Sequence, residues 1–369
     1  MSITKTMDKI YESTKWKIRK VARIRSQKKF LKSKIVGAPG LTENQISQIK
    51  KFWDPYCKFS YESHIYYTLK FGEFRPEFIP NAVFMNYIDK YYNNAKKAVV
   101  LENKCYFKKM FPNVKQPDTV CYRMNGFWYT PENEITTFEN AVELIKDEPT
   151  IIVKQAIGSS GGHDVNFLDK SSGRLTQEFK SCVAKINEDI IVQRPIRQHA
   201  ILSQLNSSSV NSLRVVSLLH KDGTVKVYSV VLRMGVGGMR VDNESSGGVN
   251  CGVTPDGKLR AEGHTKSAGG IHKTHPTTGI VFKDFEIPYF DKVMETVKAA
   301  HITIPHFRLV SWDFAIGEDG TPIMIEANLN GGGININQVN NGPIFGEDTK
   351  MILDEVFGKD KIALSKNAH

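Results

Sequence analysis

No stretch of the 369 residues approaches the roughly 20 consecutive apolar positions that a bilayer-crossing helix needs, so a membrane-spanning class is not expected. Cysteine is scarce as well. The five present (Cys57, Cys105, Cys121, Cys182, Cys251) form an odd set without a CxxC pair, which speaks against a disulfide framework. There is no short basic stretch leading into an apolar run and a cleavage site. The expectation is a reduced, cytoplasmic protein. Internal repeats and low-complexity tracts are also lacking, and the length points to two or three lobes with their own cores.

Positive charge is plentiful but unevenly spread. The chain carries a net +11, of which residues 1–35 hold twelve Lys or Arg against Asp8 and Glu12, a local +10. Only +1 remains for residues 36–369. Ile3, Met7, Ile10, Ile18, Val21 and Leu31 recur at roughly helical spacing, with Trp16 and Phe30 nearby, so the segment reads as a basic amphipathic helix or helix pair. Such an arm suits an anionic membrane surface or an acidic partner, or packs by one face on the body. Nucleic acid is not expected, because no basic surface interleaved with aromatics follows elsewhere.

Beyond this arm the pattern is α/β. In "LTENQISQIKKFWDPY" Thr42 stands as a helix N-cap, and the aromatic-rich stretch to about 95 reads as mostly helical. The chain then alternates: strand-like "GFWYT", helix-like "TFENAVELIKD", the strand "TIIVK", a glycine loop, a helix and the strand "DIIVQRPI". Residues 210–234 form a hairpin turning at Asp222 and Gly223. A second hairpin, "FRLVSWDFAIGEDGTPIMIEAN", turns at Glu318 to Gly320.

The stretch "IIVKQAIGSSGGHDV" (151–165) poses a choice between a phosphate cradle and a flexible turn. A P-loop requires its lysine after the glycines, and here Lys154 precedes them. Neither glycine run has dinucleotide-binding spacing, and "WDFAIG" mimics a kinase segment with no HRD upstream. What remains is a strand-end lysine, a point charge for phosphates, feeding a side-chain-poor loop whose N–H groups can close over them.

The second hairpin supplies the complement. Asp313 lies on one strand and Glu326 and Asn328 on the other, where alternation puts Glu326 and Asn328 on one face. Two carboxylates and an amide oxygen suit one or two Mg²⁺ ions, with Mn²⁺ as the alternative, bridging ATP phosphates. An inward Glu between "IMI" and "AN" would otherwise be costly to bury.

With these residues in place the chain resembles the ATP-grasp superfamily of carboxylate–amine ligases. The family's Asp, then Glu thirteen residues on, then x-Asn, is met by Asp313, Glu326 and Asn328. Its central-strand lysine and glycine loop match Lys154 and Gly158 to Gly162, including Ser159, Ser160 and Gly161. Its earlier "DK" lysine matches Lys104 in "LENKCYF", with Asn in place of the Asp. Its adenine hinge matches "IIVQRPI": Gln193 stands where Glu is common, Arg194 and Ile196 offer backbone or apolar contact, and His199 falls near the ribose position or serves structurally. The nearest likeness is the sugar-transfer-associated ATP-grasp group, carried by "QRPIRQHAILSQLNSSSVNSLRVV", "VLRMGVGGMRVDNESSGGVNCGV", "HPTTG" and "SWDFAI…IMIEANL" over most of 41–357.

That resemblance implies an α/β (α+β) fold of two lobes clasping ATP behind a helical N-terminal region. The expected division is a basic arm at 1–40, a helical region at 41–95, the glycine-loop lobe at 96–190 and the metal-site lobe at 191–369. It implies an acylphosphate made from a substrate carboxylate and ATP, then attacked by an amine. Arg214 and Arg233 are the candidates to stabilise the oxyanion and hold the acceptor carboxylate, with Arg240 behind them. Asn243 and Asn250 are candidates to line the acceptor pocket. His264, His272 and His275 lack the further ligand that a tetrahedral zinc set needs. The leading function is amidation of a uronic acid or related sugar with an amino acid for surface polysaccharide. The alternatives are an amino-acid or peptide ligase of a small-molecule pathway and a non-catalytic scaffold.

Overall fold

The structure is a computed structural model that describes residues 3–158, 165–266 and 270–358, with side chains described from Thr14 onward. Contacts divide the chain into two compact units: residues 1–92, 267–271 and 331–369, and residues 93–266 and 272–330.

The first unit is helical. A single helix, Ile3–Lys34, spans the basic arm. One helix forms rather than two because no glycine or proline interrupts the sequence before Gly37, which adopts φ +75°. The next helix, Glu43–Trp53, begins where Thr42 accepts from the Gln45 backbone while the Gln45 side chain returns the bond, a reciprocal cap. Helix Glu62–Phe71 packs Tyr66 and Tyr67 with Phe78, Leu31 and Val339 in one apolar cluster. Gln338 binds both the N–H and the carbonyl of Ile79, which ties the helix Asn335–Asn341 to this cluster.

The second unit contains two antiparallel sheets. The smaller has strands β1 (Thr119–Met124), β2 (Phe127–Tyr129), β3 (Ile135–Thr136), β4 (Thr150–Gln155), β5 (Val165–Asp169) and β6 (Ile190–Gln193) in the order β3-β2-β1-β6-β4-β5. β4 and β6 alternate. Ile151, Val153, Ile190 and Val192 face the helices Phe138–Ile145 and Leu175–Val183 through Ala141, Ile145, Phe179 and Val183. Ile152, Lys154, Ile191 and Gln193 therefore occupy the opposite face, where Ile191 packs with Cys105, Tyr122 and Ala156.

In the larger sheet, β10 (Leu259–His264), β9 (Val249–Val253), β8 (Val225–Met234), β7 (Ser212–Leu219), β11 (Leu309–Ile316) and β12 (Pro322–Asn328) neighbour one another in that order. Leu213, Val215, Val230, Leu232, Val249, Cys251, Trp312, Phe314 and Ala327 point to the core with Val293, Val297 and Ala300 of helix Phe290–His301. Their alternates form a polar second face. Both hairpins read from the sequence are present, with the expected turns.

Candidate active site

Direct cross-strand partners share a face, and on the polar face of the larger sheet the register builds one row. Glu326 stands opposite Asp313, and Asp313 stands opposite Arg214. One step along, Ser212 pairs with Arg233, Arg233 with Asn250, and Asn250 with His264. Asn328, two residues beyond Glu326 on β12, lies on the same face and donates its amide to the Ser311 carbonyl at 3.0 Å. The register shifts just after Asp313, so Phe314 meets Met324 and both return to the core side.

Two carboxylates facing each other across a sheet repel. Here each is neutralised from elsewhere. Asp313, only 4% exposed, accepts both the Nε and, at 2.9 Å, the NH2 of Arg214, and accepts NH1 of Arg233 at 3.2 Å. Burial works to raise its pKa, but the two guanidiniums outweigh it and hold the carboxyl below its usual range. Arg233 also donates NH2 to Asp242 at 3.0 Å and to the Asn243 side chain. Burial disfavours its charge, yet Asp242, Asp313 and Glu326 together push its pKa up.

Glu326 is met from the smaller sheet. Lys104 sits in the short turn Lys104–Tyr106, whose N–H binds the Ala156 carbonyl just past β4, and its ammonium reaches Glu326 Oε1 at 2.8 Å. Asn103 replaces the familial Asp for a visible reason. Its side-chain oxygen caps the turn at the Cys105 N–H (3.0 Å), and its amide donates to the Asp189 carboxylate at 2.7 Å, where an aspartate would repel. Lys154, half-buried on the same face of the smaller sheet as Ile191, has its pKa lowered to about 8 by burial first and Lys104 second, with Glu326 opposing. The two lysines and Glu326 thus share one electrostatic neighbourhood.

The hinge residues lie apart from this cluster. Gln193 is buried; its amide donates weakly to Pro117 at 3.5 Å, and its oxygen has no hydrogen-bond partner among the described residues. Arg194 turns its side chain outward onto Glu148 through Nε and NH2, so only its backbone, bonded to Asp118, follows the strand. Ile196 is half-buried. His199 caps the helix Ala200–Leu205 through Nδ1, binds the Ile316 carbonyl through its backbone and sets its ring edge-on to Tyr289. Arg240 stacks on Phe167 and pairs with Asp169 at 2.7 Å, joining the loop after β8 to β5. Ser159, Ser160, Gly161 and Gly162 lie outside the described residues.

Asn250 is 1% exposed, and neither atom of its amide finds a hydrogen-bond partner among the described residues. Buried polar groups are normally satisfied, so a group of this kind marks where water or a ligand completes the structure. His275 bonds the Gly235 carbonyl at 2.9 Å, and no trio of His, Cys, Asp or Glu fit for a metal occurs among the described residues.

Two residues that the sequence reading did not single out shape the site, although Asp242 opens the loop "DNESSGG" that it placed at the acceptor pocket. Asp242 binds both Ser212 and Arg233. Glu102 accepts the Leu329 and Asn330 N–H groups at 2.8 and 3.0 Å and pins the chain as it leaves Asn328. Their only signal is adjacency, Asp242 to Asn243 and Glu102 to the "NK" pair.

The donors Asp313, Glu326 and Asn328 are all oxygen donors of the hard kind that Mg²⁺ and Mn²⁺ take, and in chemistry they fit such an ion. Both Asp313 oxygens accept from arginine, Oδ2 twice and Oδ1 once, so Oδ1 keeps the freer lone pair for a cation.

Comparison with known proteins follows the same lines. The pattern of a family described as sugar-transfer associated ATP-grasp matches residues 84–352. No curated protein sequence matches the chain. Among solved structures, the ADP complex of purK, N5-carboxyaminoimidazole ribonucleotide synthetase, is 12% identical with a TM-score of 0.37. That match covers 62% of this chain and 45% of the synthetase, so the chain spans less than half of it. D-cycloserine synthetase DcsG is 14% identical (TM-score 0.39, 73% of this chain and 70% of that one). The D-alanine-D-alanine ligase from Coxiella burnetii is 11% identical (TM-score 0.41, 75% and 64%).

Proposed function

The chain belongs to the sugar-transfer-associated ATP-grasp family, and on that premise we propose that it is an ATP- and Mg²⁺-dependent ligase that joins a carboxylate to an amine through an acylphosphate. The observation that carries this reading is the row Glu326–Asp313–Arg214, with Lys104 reaching into it from the smaller sheet and Lys154 nearby.

Lys104 and Lys154 hold the ATP phosphates, together with the sequence candidates Ser159, Ser160, Gly161 and Gly162. Gln193 offers its buried, unpartnered oxygen to the adenine edge, with the backbone of Arg194, the side chain of Ile196 and the region of His199 completing the nucleoside contact. Asp313, Glu326 and Asn328 hold Mg²⁺, which when bound neutralises phosphate charge. The substrate carboxylate oxygen attacks the γ-phosphorus, and the bond to the ADP oxygen breaks. The amine then attacks the acyl carbon, inorganic phosphate leaves, and the amine proton passes to solvent or phosphate.

The developing oxyanion needs a cation. Arg214, whose side-chain hydrogen bonds among the described residues are to Asp313, is better placed to give it than Arg233, which Asp313, Asp242 and Asn243 already balance. Arg240, paired with Asp169, would need to exchange that partner to bind substrate.

For the substrates we favour a uronic acid or related sugar and an amino acid, in surface polysaccharide biosynthesis. Asn250 supports this choice: a buried amide with an open donor and an open acceptor matches a sugar hydroxyl, which is both. In this reading the enzyme works in the cytoplasm where ATP is, with residues 1–35 turned to an anionic surface or acidic partner. The test is ADP release from MgATP with uronic acids, sugar nucleotides and amino acids, singly and in pairs. Release that requires one acid and one amine together is the expected result. Turnover with amino-acid pairs alone would move the assignment to a peptide ligase, and ATP binding without turnover on any pair would leave a scaffold.

A further inference from the structure

The helix Ile3–Lys34 is more basic than the site needs. Between Glu12 and Glu43 there is no acidic residue. Its two faces differ in what they touch.

One face is committed to its own unit. The Trp16 ring carries the Lys90 ammonium at 4.6 Å, Lys20 binds the Tyr87 hydroxyl, and Arg23 donates to Asn86 at 3.0 Å. Phe30 meets Tyr66 edge-on, and Leu31 is 4% exposed. Trp16, Lys20 and Arg23 follow one another at four- and three-residue spacing, and Phe30 and Leu31 lie about two turns further on, so all five share one helix face.

The other face is open. Ile18, Val21 and Ile24 are 65%, 47% and 39% exposed. Lys17, Arg25, Lys28, Lys29 and Lys32 surround them, all exposed, and among the described residues only Lys28 has an acidic neighbour, Glu62 at 3.4 Å.

We propose that this outward face docks in the plane of an anionic lipid bilayer, with Ile18, Val21 and Ile24 entering the headgroup boundary and the lysines and arginines on the phosphates. Three observations favour a bilayer. The exposed charge is of one sign. The apolar residues share its face, which a nucleic-acid backbone has no use for. The opposite face is occupied from Trp16 to Leu31, so a partner that wraps an amphipathic helix in a groove cannot enclose it, whereas a flat surface needs only one side. None of the described helices is long and apolar enough to cross a membrane, so the contact is peripheral. This inference goes beyond the ligase reading and stands without it.

The test uses the full chain and co-sedimentation with phosphatidylserine-containing vesicles against pure phosphatidylcholine vesicles. Each lysine or arginine near an anionic surface strengthens binding roughly fivefold. The triple variant Arg25→Gln, Lys29→Gln, Lys32→Gln is therefore expected to bind anionic vesicles about a hundredfold more weakly. Added salt weakens the wild type in the same direction. Ile18→Ser with Val21→Ser lowers the binding that survives high salt. Circular dichroism confirms that both variants keep their helix content, and neither touches a residue of the ligase site. No binding to anionic vesicles, equal binding to neutral ones, indifference to the triple variant, or tighter binding to duplex DNA than to vesicles at the same salt would each overturn the proposal.

Discussion

Asp313→Asn separates two descriptions of the site by the sign of a stability change. The substitution keeps the shape of the side chain and removes its charge. In the unligated protein that charge serves two arginines, Arg214 through both nitrogens of its fork and Arg233 through NH1. Taking one partner out of a buried ion pair costs about 3–5 kcal/mol. Arg233 keeps Asp242 and Asn243, which puts the loss at about 3 kcal/mol, the lower end. Against it stands relief of the repulsion with Glu326 directly across the sheet, worth roughly 0.2–1 kcal/mol. The ion-pair loss wins, leaving about 2–3 kcal/mol of destabilisation. At about 2–4 °C per kcal/mol for a unit of this size, the melting temperature falls by roughly 4–12 °C. The assay is thermal unfolding followed by circular dichroism, with EDTA and without nucleotide. If Asp313 instead stood as an uncompensated ligand in an acidic site, removing its charge would stabilise the metal-free protein. A melting temperature that stays or rises would therefore refute the account of a carboxylate held by arginines.

Two further outcomes follow from Lys154, proposed to hold phosphate, and from the proposed adenine hinge. The pKa of Lys154 is depressed to about 8 in the fold against 10.5 ordinarily, so between these values the unfolded chain holds a proton that the folded one lacks. Stability of the unligated protein should therefore rise from about pH 8 toward 10.5, and KM for ATP should rise over the same range as the charge is lost; Lys154→Met should abolish both trends, and unchanged trends in that variant would reassign them. At the hinge, Gln193→Leu removes a buried acceptor open to the nucleotide, whereas Arg194→Ala removes only an exposed pair with Glu148. Equilibrium ATP binding should weaken about 5- to 30-fold for the first, the value of one buried hydrogen bond, and less than about fivefold for the second; the reverse order would contradict the hinge assignment.

Much of the site was legible because strands alternate. The sequence of β11 and β12 places Asp313, Glu326 and Asn328 from chain order alone, since the turn at Glu318 to Gly320 leaves few registers open. Lys154 was legible as the lysine that ends the apolar run Ile151–Val153. The strands β1, β3 and β5 were less visible: β3 has two residues, and β5 is only half-buried along its length and so lacks a clean apolar face. The arm announced its helix by composition, but its division into a packed and an open face depended on Lys90, Tyr87, Asn86 and Tyr66, whose approach no local pattern encodes.

By itself the sequence determined which face of its own strand each candidate residue occupies, because period-two alternation and turn residues are local properties. Only the tertiary structure decided their electrical state. Arg214 and Arg233 reach Asp313 across 99 and 80 residues of chain, and Lys104 reaches Glu326 across 222. A carboxylate's charge balance is set by whatever lies within a few ångströms, and that neighbourhood exists only once β7, β8 and the Lys104 turn have folded onto β11 and β12.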